Sequence, residues 1–321
     1  MAADNLVQKY CQSIHQGYRL PGSNRLFKFG DGTQHDSSEF LFDFVFSQLD
    51  NETNRSHDTN FVNYSQPGED MKKADKEKAR RLSPSDLALE SWRLYKSFHD
   101  TIMTTYWGVL HVDRNICQTC GDSVDSFGYS NYLDLGITGS DTDQYLSLKE
   151  LLDEQYNTKE IRRADGGKGF ECGTEIGECH MSKEAFTKLA RLPPLLAIRF
   201  KRWDFNGAKV MRKIKFDVEN LDLSRYSLDH NPSAKEDGFG RYLYDLYAVI
   251  THGGASSNGG HYIAHVKDNG PEKDKWFVCN DKDVYRRYVR ASGNNSPLER
   301  EWFDCANKFT PFMLFYKRKD L

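Results

Sequence analysis

Residues 244–266 read YDLYAVITHGGASSNGGHYIAHV. Two runs rich in β-branched and aromatic residues flank a glycine-rich stretch, the pattern of antiparallel strands joined by a turn region. GGASSNGG at 253–260 reads as a flexible loop, and His261 opens the strand behind it. The next strand-like run is KWFVCN at 275–280, so Asn280 and Asp281 fall at its far end. Antiparallel neighbours can bring a histidine beside an asparagine. The amide oxygen would then accept from one imidazole nitrogen and fix the tautomer, leaving the other nitrogen as a base. Such a pair serves nucleophilic catalysis only with a thiol supplied from elsewhere. A histidine that merely caps a loop has the same spacing.

Working outward, LLAIRFKRW (195–203) and FMLFYKR (312–318) repeat the strand pattern, with polar breaks at 230–240, 267–274 and 291–297. The N-terminal side differs. In QHDSSEFLFDFVFSQLD (34–50), Phe42, Val45, Phe46 and Leu49 fall at helical spacing, and Phe40, Leu41 and Phe44 fill most of the rest. That predicts a helix buried on most sides, with Asp36 and Glu39 placed as an N-cap pair. Asp36 could equally bind a basic partner group. Residues 51–86 turn polar, with QPGED and then MKKADKEKARR, and read as a solvated insertion. A second amphipathic stretch, SWRLYKSFHDTIMTTYWG, covers 91–108, and from 109 onward the chain reads mostly as strand. Helices first and strands after, without internal repeats, indicate an α+β fold with antiparallel sheet.

The 321 residues are 38% hydrophobic and 28% charged, the composition of a folded soluble chain. A formal net charge of -3 argues against a nucleic-acid binder, and no apolar run approaches the ~20 residues of a membrane span. The start, MAADNLVQKY, has no apolar core of a signal peptide. With seven cysteines, an odd number, a reducing compartment is expected, cytoplasmic or nuclear, with thiols free or metal-bound. CQTC at 117–120 has the spacing of half a tetrahedral zinc site. Cys172 and Cys179, in FECGTEIGECH, could supply the other half, although six residues separate them; His180 is an alternative ligand, and unliganded thiols are the plain reading.

Taken together these segments resemble the ubiquitin-specific protease family of deubiquitinases, collinearly over roughly residues 25–318. QHDSSEFLFDFV resembles the family's glutamine-rich box, YWGVLHVDRNICQTCGDSVDSFGYSNYLDL (106–135) its first zinc-knuckle strand pair, and AFTKLARLPPLLAIRFKRWDFNGAKVMRKIKFDVENLDL (185–223) the run through its LP and KRF signatures. The glycine–histidine stretch, WFVCNDKDV and FMLFYKR resemble its histidine box and C-terminal strands. By propensity 182–191 would be helix; the family pattern makes it strand.

The resemblance implies a papain-like cysteine protease fold of palm, thumb and fingers. It divides the chain into a residual thumb (1–50), the insertion (51–86), fingers and palm strands (106–223) and a palm with the histidine box (242–318). It implies ubiquitin as the partner, His261 as general base, Asn280 as third triad member and Asp281 as a neighbour supporting the oxyanion. Gln34 and Asp36 would contact the substrate, Asp36 through the arginine-containing tail of ubiquitin. Zinc would sit on Cys117, Cys120, Cys172 and Cys179. One departure stands out. The family's nucleophile lies in a box like GLxNxGNTCYxNxxLQ, which residues 1–33 do not contain, and Cys11 in VQKYCQSIHQ lacks the preceding Gly-Asn-Thr. The expectation is a domain without its cysteine box, from a truncated gene model or as a fragment of a longer thiol isopeptidase. A ubiquitin-binding pseudoenzyme and a zinc-ribbon interaction module are the alternatives.

Overall fold

The computed structural model describes residues 35–56, 82–137, 145–163, 182–228, 240–256, 259–270, 275–288, 302 and 309–321, and the backbone of two short strands, β1 (Tyr18–Arg19) and β2 (Leu26–Phe27), which pair antiparallel. Cys11, Gln34, Cys172, Cys179, His180 and most of the polar insertion lie outside the described residues.

The phenylalanine-rich run folds as a helix with π geometry, α1 (Glu39–Phe46), continued by α2 (Ser47–Thr53). Asp36 does cap it. Its Oδ1 accepts from the Ser38 backbone N–H and from the Ser38 hydroxyl, both at 2.6 Å. Phe42, Phe44 and Phe46 are buried, while Phe40 stays 38% exposed, so the burial is less complete than the composition suggests. The second amphipathic stretch is two helices, α3 (Pro84–Phe98) and α4 (Ile102–Trp107). α3 begins inside the segment assigned to the insertion, because Ser83 caps it ahead of Pro84. The two helices separate at Thr101, whose hydroxyl accepts from the Thr104 N–H and so starts a new helix.

β3 (Val109–Cys117), β4 (Ser123–Ser130), β7 (Glu160–Arg163) and β8 (Ser182–Arg191) form a four-stranded antiparallel sheet in the order β4-β3-β8-β7. Helical propensity in 182–191 loses here to pairing on both sides of β8. One face of this sheet packs on α3 through Leu110, Val112, Phe127, Trp92 and Ala88. Tyr95 stacks on Tyr129 at 3.9 Å, and Arg191 lies over the Trp92 ring at 4.1 Å while donating to the Gly108 carbonyl. Between β5 (Leu133–Gly136) and β7, a pairing segment β6 (Leu146–Ser147) leads into a helix, α5 (Leu148–Asn157). That helix was not foreseen in a stretch that reads mostly as strand. Its capping box is complete, with Glu150 N–H bound to the Ser147 hydroxyl and the Ser147 N–H bound to Glu150.

The larger sheet has eight strands. Its path is β15 (Asp283–Tyr288), β14 (Lys275–Asn280), β13 (Gly259–Lys267), β12 (Leu243–Ser256), β16 (Phe309–Arg318), β9 (Leu195–Lys201) and β5, with β11 (Leu221–Asp222) on β12. A short parallel pair joins β10 (Ile214–Lys215) to β6. Alternation along the strands feeds two cores. Leu196, Ile198, Phe200, Val249, Trp276, Val278 and Leu314 meet α5 on one face. Ala197, Met313, Phe315 and Tyr262 meet α1 on the other. The sheet is therefore clamped from both sides, and its end at the β12–β13 turn carries the candidate site.

Candidate active site

Residues 253–256 and 259–260 of the glycine-rich stretch are strand rather than loop. β12 runs on to Ser256 and β13 starts at Gly259, with a register shift between Gly253 and Ser256. Two glycines make this approach possible. A Cβ on Gly260 would lie 2.5 Å from His252 Cε1, and one on Gly253 would lie 2.7 Å from the Phe309 ring. With those positions bare, Gly253 pairs with His261, and Phe309 meets the imidazole edge-on at 6.3 Å.

The site follows from register. Ala264 pairs with Cys279 and His265 with Val278. Asn280 continues the face of Trp276 and Val278, and His261 continues that of Ile263. Both side chains thus project on the same face, diagonally across the β13–β14 pair. His261 Nε2 stands 2.5 Å from Asn280 Oδ1. An amide oxygen can only accept, so the bond places the proton on Nε2 and leaves the Nδ1 lone pair available. Asp281 is exposed and sits in the two-residue turn between Asn280 and Asp283, with φ 51°, a conformation aspartate tolerates better than most residues. Cys279 pairs with Ala264 and so points to the opposite face from Asn280.

Asp36 comes to the other face of the same strand ends. His252 pairs with Tyr262, one step from the Gly253–His261 pair. Burial, to which the Asp36 carboxylate adds, pushes the Tyr262 hydroxyl well up. His252 is 2% exposed, and burial followed by the neighbouring Lys209 ammonium drives its pKa down to about 4, against the pull of Asp36. Arg199 donates to the Ser38 hydroxyl at 3.2 Å and makes two bonds of 2.9 Å to Asp134. Burial works against the Arg199 charge, but Asp134 outweighs it and raises its pKa. That fork ties the start of α1 to strands β5 and β9.

Sequence reasoning missed His252, Tyr262, Phe309 and Lys209. One signal was available: Lys209 follows WDFNGA, a turn that must return the chain to the sheet. Its ammonium is buried and donates to the His252 carbonyl at 2.5 Å. On the smaller sheet, Cys117 is buried at the end of β3 and Cys120 is exposed, on a turn closed by Gly121 N–H to the Cys117 carbonyl at 2.9 Å. Two thiols on such a turn suit half a tetrahedral site. Among the described residues no three or more metal-binding groups cluster, and the other two proposed ligands lie outside them.

The model of the family described as ubiquitin carboxyl-terminal hydrolase matches residues 19–316. Ubiquitin carboxyl-terminal hydrolase 26 of Oryza sativa subsp. japonica is 30% identical over 193 residues, covering 58% of this chain and 16% of that protein. Ubiquitin carboxyl-terminal hydrolase 3 of Homo sapiens is 26% identical over 203 residues, covering 57% of this chain and 35% of that protein. The chain thus spans well under half the length of these relatives. A chain of the SAGA Ubp8/Sgf11/Sus1/Sgf73 DUB module bound to ubiquitin aldehyde superposes with a TM-score of 0.51 at 22% identity, over 73% of this chain and 47% of that one. A second structure of that module reaches 0.56 at 21% identity, over 90% of this chain and 51% of the other. At such identity the solved structures speak to the fold alone, which this chain shares with them. The family match spans nearly the whole sequence, and the chain belongs to the ubiquitin carboxyl-terminal hydrolase family, the cysteine-type deubiquitinases.

Proposed function

We propose that this chain recognises ubiquitin and carries the base half of a thiol isopeptidase site, with His261 as general base and Asn280 as its orienting partner. The observation that supports this most is the 2.5 Å contact of His261 Nε2 with Asn280 Oδ1. It leaves Nδ1 to take a proton from a thiol and return it to the leaving amine. Asp281 adjoins the pair, and Asp36 offers a carboxylate to a basic residue of the entering tail. Gln34 joins Asp36 in substrate contact. Residues 1–321 contain no cysteine box of the family pattern, Cys279 faces away from Asn280, and Cys117 and Cys120 belong to the smaller sheet. Residues 1–321 alone are therefore proposed to bind ubiquitin without turning it over.

A fluorogenic ubiquitin substrate, a cysteine-reactive ubiquitin probe and a binding titration test this together. Binding without turnover or labelling is expected. No binding overturns the recognition; turnover abolished by Cys11→Ser overturns the inactivity. Structural zinc on Cys117, Cys120, Cys172 and Cys179 is a further part of the proposal. It calls for about one zinc per chain, lost in Cys117→Ser; protein purified metal-free with undiminished stability would refute it.

A further inference from the structure

β16 carries four aromatic side chains, Phe309, Phe312, Phe315 and Tyr316. Three of them are built into the cores: Phe312 and Phe315 on the α1 side of the sheet, Tyr316 on the α5 side. Phe309 is only half-buried and belongs to none of the three cores. Among the described residues its one ring partner is His261.

The route of that contact is unusual. β16 does not adjoin β13, because β12 runs between them. Adjacent strands lie ~4.8 Å apart, so Phe309 crosses a whole strand to reach the imidazole. A ring crosses a middle strand most easily where that strand carries no side chain. Gly253 supplies the bare position. A Cβ there would fall 2.7, 2.8 and 2.9 Å from Cζ, Cε1 and Cε2 of Phe309, so the tip of the ring covers the glycine. Gly253 pairs with His261, and directly paired positions project on the same face. Along that face the order is Phe309, Gly253, His261, and then Asn280 diagonally on β14. An aromatic ring laid over a cross-strand glycine steadies a sheet. Here the same ring also ends against the base.

That second contact matters because one hydrogen bond is a weak restraint. The Asn280 amide holds a single corner of the imidazole, Nε2. One such bond biases the ring only roughly fivefold. A half-turn about Cβ–Cγ exchanges the ring's nitrogens for carbons and takes Nε2 off Asn280. Phe309 stands edge-on to the imidazole, at 6.3 Å and 83°, an attractive arrangement that also occupies the space the ring would sweep.

We propose that Phe309 is a positioning residue for the base: reaching across the bare Gly253, it walls His261 into the rotamer that meets Asn280 and leaves Nδ1 to the thiol. The proposal rests on the reading of His261 as general base.

The test is nitrogen-detected NMR of the histidines in the 321-residue chain, beside thermal melts, for the parent, Phe309→Ala and Phe309→Leu. The parent should show one neutral form of His261, protonated at Nε2. Phe309→Ala keeps Asn280, yet its Nδ1-protonated form should rise roughly three- to tenfold, while His265 on the same strand keeps its signals. Phe309→Leu, which retains bulk without the flat ring, should fall between, and it carries the test should the alanine variant fail to fold. Unchanged His261 signals in the folded variants, whatever the melting temperature does, overturn the positioning role and leave the His261–Asn280 pair standing. A change at His265 as large as that at His261 means that the whole hairpin has loosened, and overturns it too. A parent chain whose neutral proton sits on Nδ1 overturns the base reading itself, and leaves Phe309 nothing to position.

Discussion

The molecule contains two long antiparallel hairpins that end very differently. The β12–β13 hairpin is covered on both faces, by the core against α5 and by the core against α1. The β3–β4 hairpin packs on α3 through one face and sets Val109 and His111 toward α5 on the other, but its far end carries exposed residues such as Val124 and Cys120. At the first tip, side-chain positions follow from register alone, which suffices to set His261 against Asn280. At the second, two thiols share a turn and need a further segment to complete any site. Packing that reaches the tip turns a strand pattern into a defined side-chain geometry; packing that stops short of it leaves a scaffold that depends on something else.

The sharpest way to break this contrast is to thin each hairpin. Leu246 of β12 is 0% exposed in the core against α5. Leu246→Ala should cost about 2–5 kcal/mol of unfolding free energy, read from urea melts. Val124→Ala, at 46% exposure, should stay within about 0.5 kcal/mol. Comparable losses would mean that the β3–β4 hairpin is as tightly built as the β12–β13 hairpin. Adding a methyl group sharpens the point. Gly260→Ala drives its Cβ into His252 and the Gly253 carbonyl, and should cost about 1–3 kcal/mol, or more because one obstacle is backbone. A Cβ added at Gly128 in β4 would meet nothing within 4 Å, so Gly128→Ala should be nearly neutral. A tolerated Gly260→Ala would show that the hairpin tip is looser than its contacts imply.

Acid separates the regions less sharply. His252 and His265, both buried in the β12–β13 hairpin, have pKa values driven down to about 4, by burial first and then by Lys209 and Arg287 respectively. His111 in β3 is also lowered to about 4 by burial. Unfolded histidine titrates near 6.5. Between about pH 6.5 and 4 the unfolded chain binds more protons than the folded one. The stability these neutral rings support is complete above pH 6.5 and is lost as the pH falls through that window. Each fully buried ring contributes a slope of up to about 1.4 kcal/mol per pH unit. Removing both hairpin rings, His252→Gln with His265→Gln, should flatten the pH dependence of the urea midpoint more than His111→Gln does. The opposite order would place the acid sensitivity in the β3–β4 hairpin.

Much of this was legible from residues. Strand alternation placed KWFVCN at 275–280 as observed, and with it the side of the sheet on which Asn280 projects. What escaped reading was decided by tertiary contacts. GGASSNGG looks like a loop because glycine is the usual turn residue, yet Gly253 and Gly260 are bare so that rings and backbone can crowd a paired strand. The helix at Leu148–Asn157 carried its signal openly in Ser147 and Glu150, and was masked by the strand-rich sequence around it. Asp36 proved to be a cap that also meets Tyr262 and acts electrostatically on His252, a double role that no spacing reveals.

The smallest expected effect is the most informative about the site. Asn280 is partly buried at a strand end, and its Oδ1 faces His261. Asn280→Ala removes one hydrogen bond and a small side chain, so stability should change by about 1 kcal/mol or less. The imidazole should change far more than the fold does. Without an acceptor at Nε2, nothing selects the tautomer that leaves Nδ1 free, and the ring can turn about its own axis. Nitrogen-detected NMR of the parent chain should show His261 protonated at Nε2 in its neutral form. In Asn280→Ala the tautomers should mix, while His265, further along the same strand, keeps its signals. Asn280→Asp should restore the Nε2 proton, because a carboxylate oxygen there accepts as the amide oxygen does. If His261 in the parent chain carries its neutral proton on Nδ1, the pair is not organised as a base, and the strand ends offer register without chemistry.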